Sequence, residues 1–265
     1  MNAINKILIP FDLTPTSDYA LRFTLGLFTN DYKPEVVALH SCNDMDHTSI
    51  LEKLNKKIES LKSTFPYAKN CTIEVLIRPD FLIETILKEQ KKQEVDLIIM
   101  GTKGSLPEDD TLFSYTSELV LEADCPVLVI PEVVLEDGIQ KIALVLGKEE
   151  IDDPSVLMTL LLLARHFSAK VYVLTIVDAD GTSGYSKADE KNENTVSYYL
   201  ENFYSRHVFR ESDDVEQGIF DFIKENEIDM VTILPANHAK KNNPSEGRLT
   251  KLLTLHTEIP LLALD

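Results

Sequence analysis

Lysine and arginine are scarce in this sequence: 26 of them stand against 44 aspartates and glutamates, a net charge of −18 at pH 7. So acidic a chain is a poor partner for DNA or RNA, whose binding rests on cations neutralising phosphates. Anionic membrane surfaces are disfavoured for the same reason, and the charge reads as solubility through self-repulsion. Cysteine is nearly missing too. Cys42, Cys71 and Cys125 are scattered without a C-x-x-C pair, so reduced thiols in a cytosol are expected. Cys42 and Cys71 border or lie in expected strands and read as small buried apolar residues. No long hydrophobic run occurs. The longest, Val156 to Ala164, is interrupted by Thr159 and falls well short of the ~20 residues of a membrane-spanning helix. The first strand begins at Lys6, so no signal peptide is expected and the protein is read as cytoplasmic. Catalytic signatures are wanting as well. The six histidines (His40, His47, His166, His207, His238 and His256) form no close pair at metal-ligand spacing. No G-x-S-x-G elbow and no G-x4-G-K-[ST] loop is found.

What the chain does contain is a repeat of itself. Lys6-Ile7-Leu8-Ile9-Pro10-Phe11-Asp12 is echoed by Lys141-Ile142-Ala143-Leu144-Val145-Leu146-Gly147. Glu94-Val95-Asp96 returns as Glu227-Ile228-Asp229, and Pro126-Val127-Leu128-Val129-Ile130 as Pro260-Leu261-Leu262-Ala263-Leu264. The offsets are 135, 133 and 134 residues, the length of a whole domain and not of a solenoid unit. Two domains of the 265-residue chain are therefore expected, 1–133 and 139–265, with Pro131–Ile139 as a short acidic linker. Hydrophobic residues make up 44% of the chain, enough for two conventional cores.

Each copy alternates strand and helix patterns, which predicts a parallel sheet with helices on both faces. In the first copy strands are expected at Lys6–Phe11, Glu35–Ser41, Cys71–Ile77, Leu97–Met100 and Val127–Ile130, with helices after Thr14-Pro15 and at Ile50–Phe65, Phe81–Lys91 and Phe113–Ala123. In the second, strands are expected near 141–146, 170–177, 207–211, 229–234 and 261–264. Asp153-Pro154 reads as the cap of an apolar helix, Leu157–Leu163 as core or domain-interface packing, and Asp178–Asn194 as a mobile surface loop.

Candidate chemistry concentrates in the first copy. Asp12 ends the first strand and Gly101-Thr102-Lys103-Gly104 ends the fourth, where open parallel sheets hold their ligands. Two glycines three apart suit either a backbone cradle for an anion or a simple tight turn. Ser114 can cap the next helix and donate to a phosphate, while Asp12 can accept from a ribose or an adenine edge. Glu108, Asp109 and Asp110 read as a solvated loop tip or as metal-bridging carboxylates. In the second copy Gly147 replaces Asp12, and Leu234-Pro235-Ala236-Asn237 replaces the glycine turn. Lys240, Lys241 and Arg248 read as surface charge or as a site for a different anion.

The chain resembles the universal stress protein family in its tandem form, through Ile7–Asp12, Val37–His40, Asp96–Gly104 and Cys125–Pro131. The resemblance implies two flavodoxin-like (adenine nucleotide alpha hydrolase-like) α/β domains, each a five-stranded parallel sheet flanked by helices. Their closing strands would face one another as an intramolecular pseudo-dimer, leaving a homodimer of the whole chain open. It further implies an adenine nucleotide, ATP with Mg²⁺, held in the first copy. Asp12 would contact the base or ribose, Gly101, Lys103, Gly104 and Ser114 the phosphates, and Pro10, Ser41 and Met100 the pocket walls. Binding and signalling follow, with slow hydrolysis at most. The family's G-x2-G-x9-G-[ST] pattern is altered, because Phe113 stands where its third glycine belongs and the loop is one residue short. Gly247 keeps a family glycine position in the second copy, followed by Arg248. The competing reading is a nucleotide-free scaffold acting through protein contacts, and a third is another small ligand under Leu234–Asn237.

Overall fold

Strand and helix alternate through the chain. The strands are β1 (Lys6–Pro10), β2 (Glu35–Ser41), β3 (Ile73–Arg78), β4 (Leu97–Thr102) and β5 (Val127–Pro131), then β6 (Lys141–Val145), β7 (Lys170–Val177), β8 (Tyr204–Glu211), β9 (Met230–Ile233) and β10 (Leu261–Ala263). The helices are α1 (Pro15–Gly26), α2 (His47–Lys62), α3 (Leu82–Gln93), α4 (Tyr115–Glu122), α5 (Met158–Phe167), α6 (Lys187–Leu200), α7 (Val215–Asn226) and α8 (Pro244–His256). The structure is a computed structural model, and it describes residues 4–43, 46–79, 82–103, 114–132, 138–147, 150–151, 153–177, 186–235 and 244–265.

The two expected five-stranded sheets are one. The strand order is β3-β2-β1-β4-β5-β10-β9-β6-β7-β8, a single ten-stranded sheet. Every pairing is parallel except β5 with β10, where Leu261, Leu262 and Ala263 run antiparallel to Val129, Leu128 and Val127. The closing strands therefore do meet, and the repeat is joined through its own backbone ladder. Central strands read as continuous apolar runs because helices cover both faces. Ile7, Ile9, Leu97, Ile99, Ile142, Leu144 and Leu262 face α1, α2, α5 and α6. Leu8, Ile98, Val127, Val129, Val231 and Leu261 face α3, α4, α7 and α8. Each apolar layer runs across both halves. Phe23 of α1 meets Phe167 of α5 with ring centroids 6.0 Å apart, and α4 packs on α8.

The repeated Glu-x-Asp triplets are structural. Asp96 Oδ2 accepts from the amides of Asn5 at 2.7 Å and Lys6 at 2.9 Å. Asp229 Oδ2 does the same for Gln140 and Lys141, both at 2.8 Å. Each aspartate thus ties the start of its fourth strand to the start of its first.

Several expectations need correction. Lys187–Asn194, read as part of a mobile loop, belongs to α6. Ser186 and Asp189 form a capping box that starts that helix, and residues 178–185 lie outside the described residues. Asp153 caps a 3-10 turn, Pro154–Leu157, that leads into α5. β8 starts at Tyr204, three residues before its expected start. Cys42 and Cys71 lie just outside their strands and are half-buried, and Cys125 is the buried thiol. Burial, and then the carboxylates of Asp265, Asp124 and Asp96, push the Cys125 thiol up to about 12. No helix among the described residues is long and apolar enough to cross a membrane.

Candidate functional site

In the first half the winding reverses between β1 and β4, since β2 and β3 lie on one side and β5 on the other. Ligand sites of open α/β sheets form at such a switch point, beyond the carboxyl ends of the strands. Pro10 closes β1 and is buried; Ser41 closes β2 and is half-buried; Met100 and Gly101 lie near the carboxyl end of β4; exposed Lys103 follows. Ser114 starts the helix that β4 leads to. All seven candidates within the described residues, Asp12 included, thus gather at one end of the sheet. Gly104, the acidic run 108–110 and Phe113 lie outside the described residues.

Asp12 is held by its own loop. Thr14 donates its hydroxyl to Asp12 Oδ1 at 2.6 Å and its amide to the same oxygen at 3.1 Å. Burial raises the Asp12 pKa, but these bonds and those of Ser17 outweigh it and hold the carboxyl below its ordinary value. The residue is exposed. Between the partners, Leu13 sits at φ 68°, in the left-handed region, which costs a branched residue free energy. That kink turns Thr14 back onto Asp12. Thr14 then caps α1, accepting from the Ser17 amide at 3.3 Å, and Pro15 supplies a pre-set first turn.

Gly101 has a packing role that its spacing does not reveal. A Cβ there would lie 2.1 Å from the Thr16 carbonyl oxygen and 2.7 Å from its carbon. The glycine lets the first turn of α1 press on β4 (backbone against backbone), so its smallness is used in packing. Thr16 also donates its hydroxyl to Glu132 Oε1 at 3.1 Å, bringing the residue after β5 over the same turn. The amino end of α1 is therefore already faced by two carboxylates, Asp12 and Glu132. His40 Nδ1 donates to the Phe11 carbonyl at 2.8 Å and clips β2 to the exit of β1. Ser114 heads a capping box: its Oγ accepts from the Ser117 amide at 3.0 Å, and Ser117 Oγ accepts from the Ser114 amide at 3.2 Å. As an acceptor in that bond, the Ser114 hydroxyl keeps its own hydrogen to donate.

The second half repeats the frame and rebuilds the site. Leu146 N donates to Leu174 O at 2.9 Å, as Phe11 N does to Leu39 O at 2.8 Å, which puts Gly147 in the place of Asp12. A Cβ on Gly147 would meet nothing within 4 Å. Gly247 is no loop glycine. It lies inside α8, with Leu121 of α4 the nearest atom to its would-be Cβ at 4.0 Å. Arg248 is likewise inside that helix, and the residues that lead into it lie outside the described residues. Ala236, Asn237, Lys240 and Lys241 lie outside the described residues. Two open grooves, of about 530 and 760 Å³, lie away from either switch point, along α6 by Tyr198 and along β8 by Phe209. Among the described residues no three His, Cys, Asp or Glu side chains gather to hold a metal ion.

The Leu13 kink and the Thr16–Glu132 bond are missed by sequence reading. A non-glycine left-handed residue leaves no mark in composition, and Thr16 and Glu132 are 116 positions apart.

Residues 3–131 match the model of the universal stress protein family. No curated protein sequence matches the chain. Among solved structures, a universal stress protein of Archaeoglobus fulgidus DSM 4304 is similar over 98% of this chain and 95% of its own, with TM-score 0.68 and 13% identity. A functionally unknown protein of Pseudomonas aeruginosa PAO1 is similar over 99% and 92%, with TM-score 0.65 and 16% identity. The cytoplasmic domain of a prokaryotic cation chloride cotransporter covers 98% and 94%, with TM-score 0.54 and 13% identity. At such identities the likeness is one of fold, and it extends over both halves.

Proposed function

We propose, for a chain that belongs through residues 3–131 to the universal stress protein family, that its first half binds one adenine nucleotide in the cytoplasm and acts by binding and signalling. The observation that carries this reading is Asp12, exposed at the switch point with Oδ1 oriented by Thr14. Its lowered pKa keeps it ionised, a ready acceptor for a ribose hydroxyl or an adenine amine. The phosphates belong at α4. Two carboxylates already face the amino end of α1, whereas Ser114 can donate its hydroxyl at the amino end of α4 and Lys103 brings a positive charge. Pro10, Ser41 and Met100 would form the walls, and Gly101 and Gly104 are assigned to the phosphates. These residues fit an adenine nucleotide, and ATP with Mg²⁺ is the form proposed. Turnover is at most slow, because no general base is assigned to take the proton of a water attacking a phosphate.

A nucleotide-free scaffold is the second reading. It is favoured by Gly101, whose missing side chain serves the packing of α1 against β4. Calorimetric titration of ATP with Mg²⁺ into the wild type and Asp12→Ala decides between them. One saturable site per chain, weakened at least tenfold by the substitution, is expected from the loss of a charged acceptor. No heat up to millimolar ATP would leave the scaffold.

A further inference from the structure

The ten-stranded sheet has two open edges, β3 and β8, and they differ in chemistry. Exposed edges are normally guarded by charge, because an unpaired ladder invites another strand. β8 carries Arg206 and Arg210, and Arg210 is fastened to Glu225 by a two-pronged ion pair at 2.6 and 3.0 Å. Pairing two copies of β8 about Val208 would set Arg206 against Arg210. β3 reads Ile73-Glu74-Val75-Leu76-Ile77-Arg78. Ile73, Val75, Leu76 and Ile77 are all left half-covered at this edge, although the neighbouring residues Val36–Leu39 of β2 are buried.

We propose that β3 is the pairing edge for a second copy of this chain, antiparallel and centred on Leu76. A two-fold axis perpendicular to the sheet keeps each residue on its own face, so Leu76 meets Leu76 of the second copy. In that register Glu74 faces Arg78 of the second copy, twice by symmetry, and Val75 faces Ile77. Exposed Glu74 has no ion pair among the described residues. Arg78 gives its Nε to Glu89 at 2.7 Å and Nη1 to the Ile77 carbonyl at 3.1 Å, leaving Nη2 for a further carboxylate. The strand is thus self-complementary in charge and apolar at its centre, as an isologous contact requires. A six-residue ladder is a small interface, so a dissociation constant on the order of micromolar is expected.

Sedimentation velocity of the full chain should show a concentration-dependent dimer, and Glu74→Lys, at an exposed position, should weaken it about tenfold. The geometry is tested in a Cys42→Ser, Cys71→Ser background that keeps the buried Cys125. Leu76→Cys should then cross-link to itself under mild oxidation, since facing Cβ atoms lie about 4.5–5.5 Å apart. Glu74→Cys should not, being four residues from its copy, roughly 13 Å along the strand. A chain that stays monomeric at hundreds of micromolar overturns the proposal. So does a dimer that cross-links through Val208→Cys and not through Leu76→Cys, because the contact then lies at β8.

Discussion

Two glycines of this chain look alike in sequence and differ in cost of replacement. At Gly101 an added methyl meets the Thr16 backbone carbonyl at 2.1 Å, and backbone cannot step aside as a side chain can. Gly101→Ala should destabilise the fold by about 2 kcal/mol or more through overpacking, read as a lower urea midpoint with an unchanged m-value. At Gly247 the added Cβ lies in ordinary contact with Leu121, inside a helix. Gly247→Ala should stabilise by about 1 kcal/mol, because alanine loses less backbone entropy in a helix. A melting temperature that falls for Gly247→Ala would show a close approach there that the geometry denies.

Helices and strands here are held by short polar devices at their ends, and one such device gives the fold a pH signature. The Glu89 carboxylate on α3 is 3% exposed and accepts from Arg78 of β3 at 2.7 Å. That bond, against the opposing effect of burial, lowers its pKa from the ordinary glutamate value. A group with a lowered folded-state pKa contributes stability above its unfolded pKa and loses it as pH falls through the folded value. Stability should therefore decline below about pH 4.3, the ordinary glutamate range. Glu89→Gln should lower stability at neutral pH and flatten that acid limb in urea titrations from pH 3 to 7. The element missed in the sequence, α6, turns on a similar device. The Ser186–Asp189 box begins a helix in a stretch whose Asp, Gly, Ser, Lys and Asn content suggests a loop. Composition averages over a window, while a cap acts at one position.

As a whole the molecule is two similar halves closed on each other through β5 and β10. Val127, Leu128 and Val129 are at most 1% exposed only because β10 lies beside them and helices cover both faces. A fragment of residues 1–133 would bare that strand and the side of α4 that packs on α8. It should therefore self-associate, giving a dimer or larger species in sedimentation, whereas Leu128→Lys in the fragment should suppress the association. A fragment that remains monomeric at high concentration would mean that the halves do not depend on each other to cover this edge.

Much was legible in the sequence because it is local and periodic. The offset echoes of Lys6–Asp12, Glu94–Asp96 and Pro126–Ile130 marked the repeat. Apolar runs such as Leu97–Met100 marked strands covered on both faces, and Asp12 beside Gly101 and Ser114 marked the switch point. Only the tertiary structure decided what those residues touch. Gly101 packs against Thr16, Glu132 reaches the amino end of α1, Gly247 lies within α8, and the two expected sheets join into one. The physical reason is distance along the chain. Propensity, capping and alternation act over a few residues, while close approach and strand pairing join positions about a hundred or more apart that no local pattern relates.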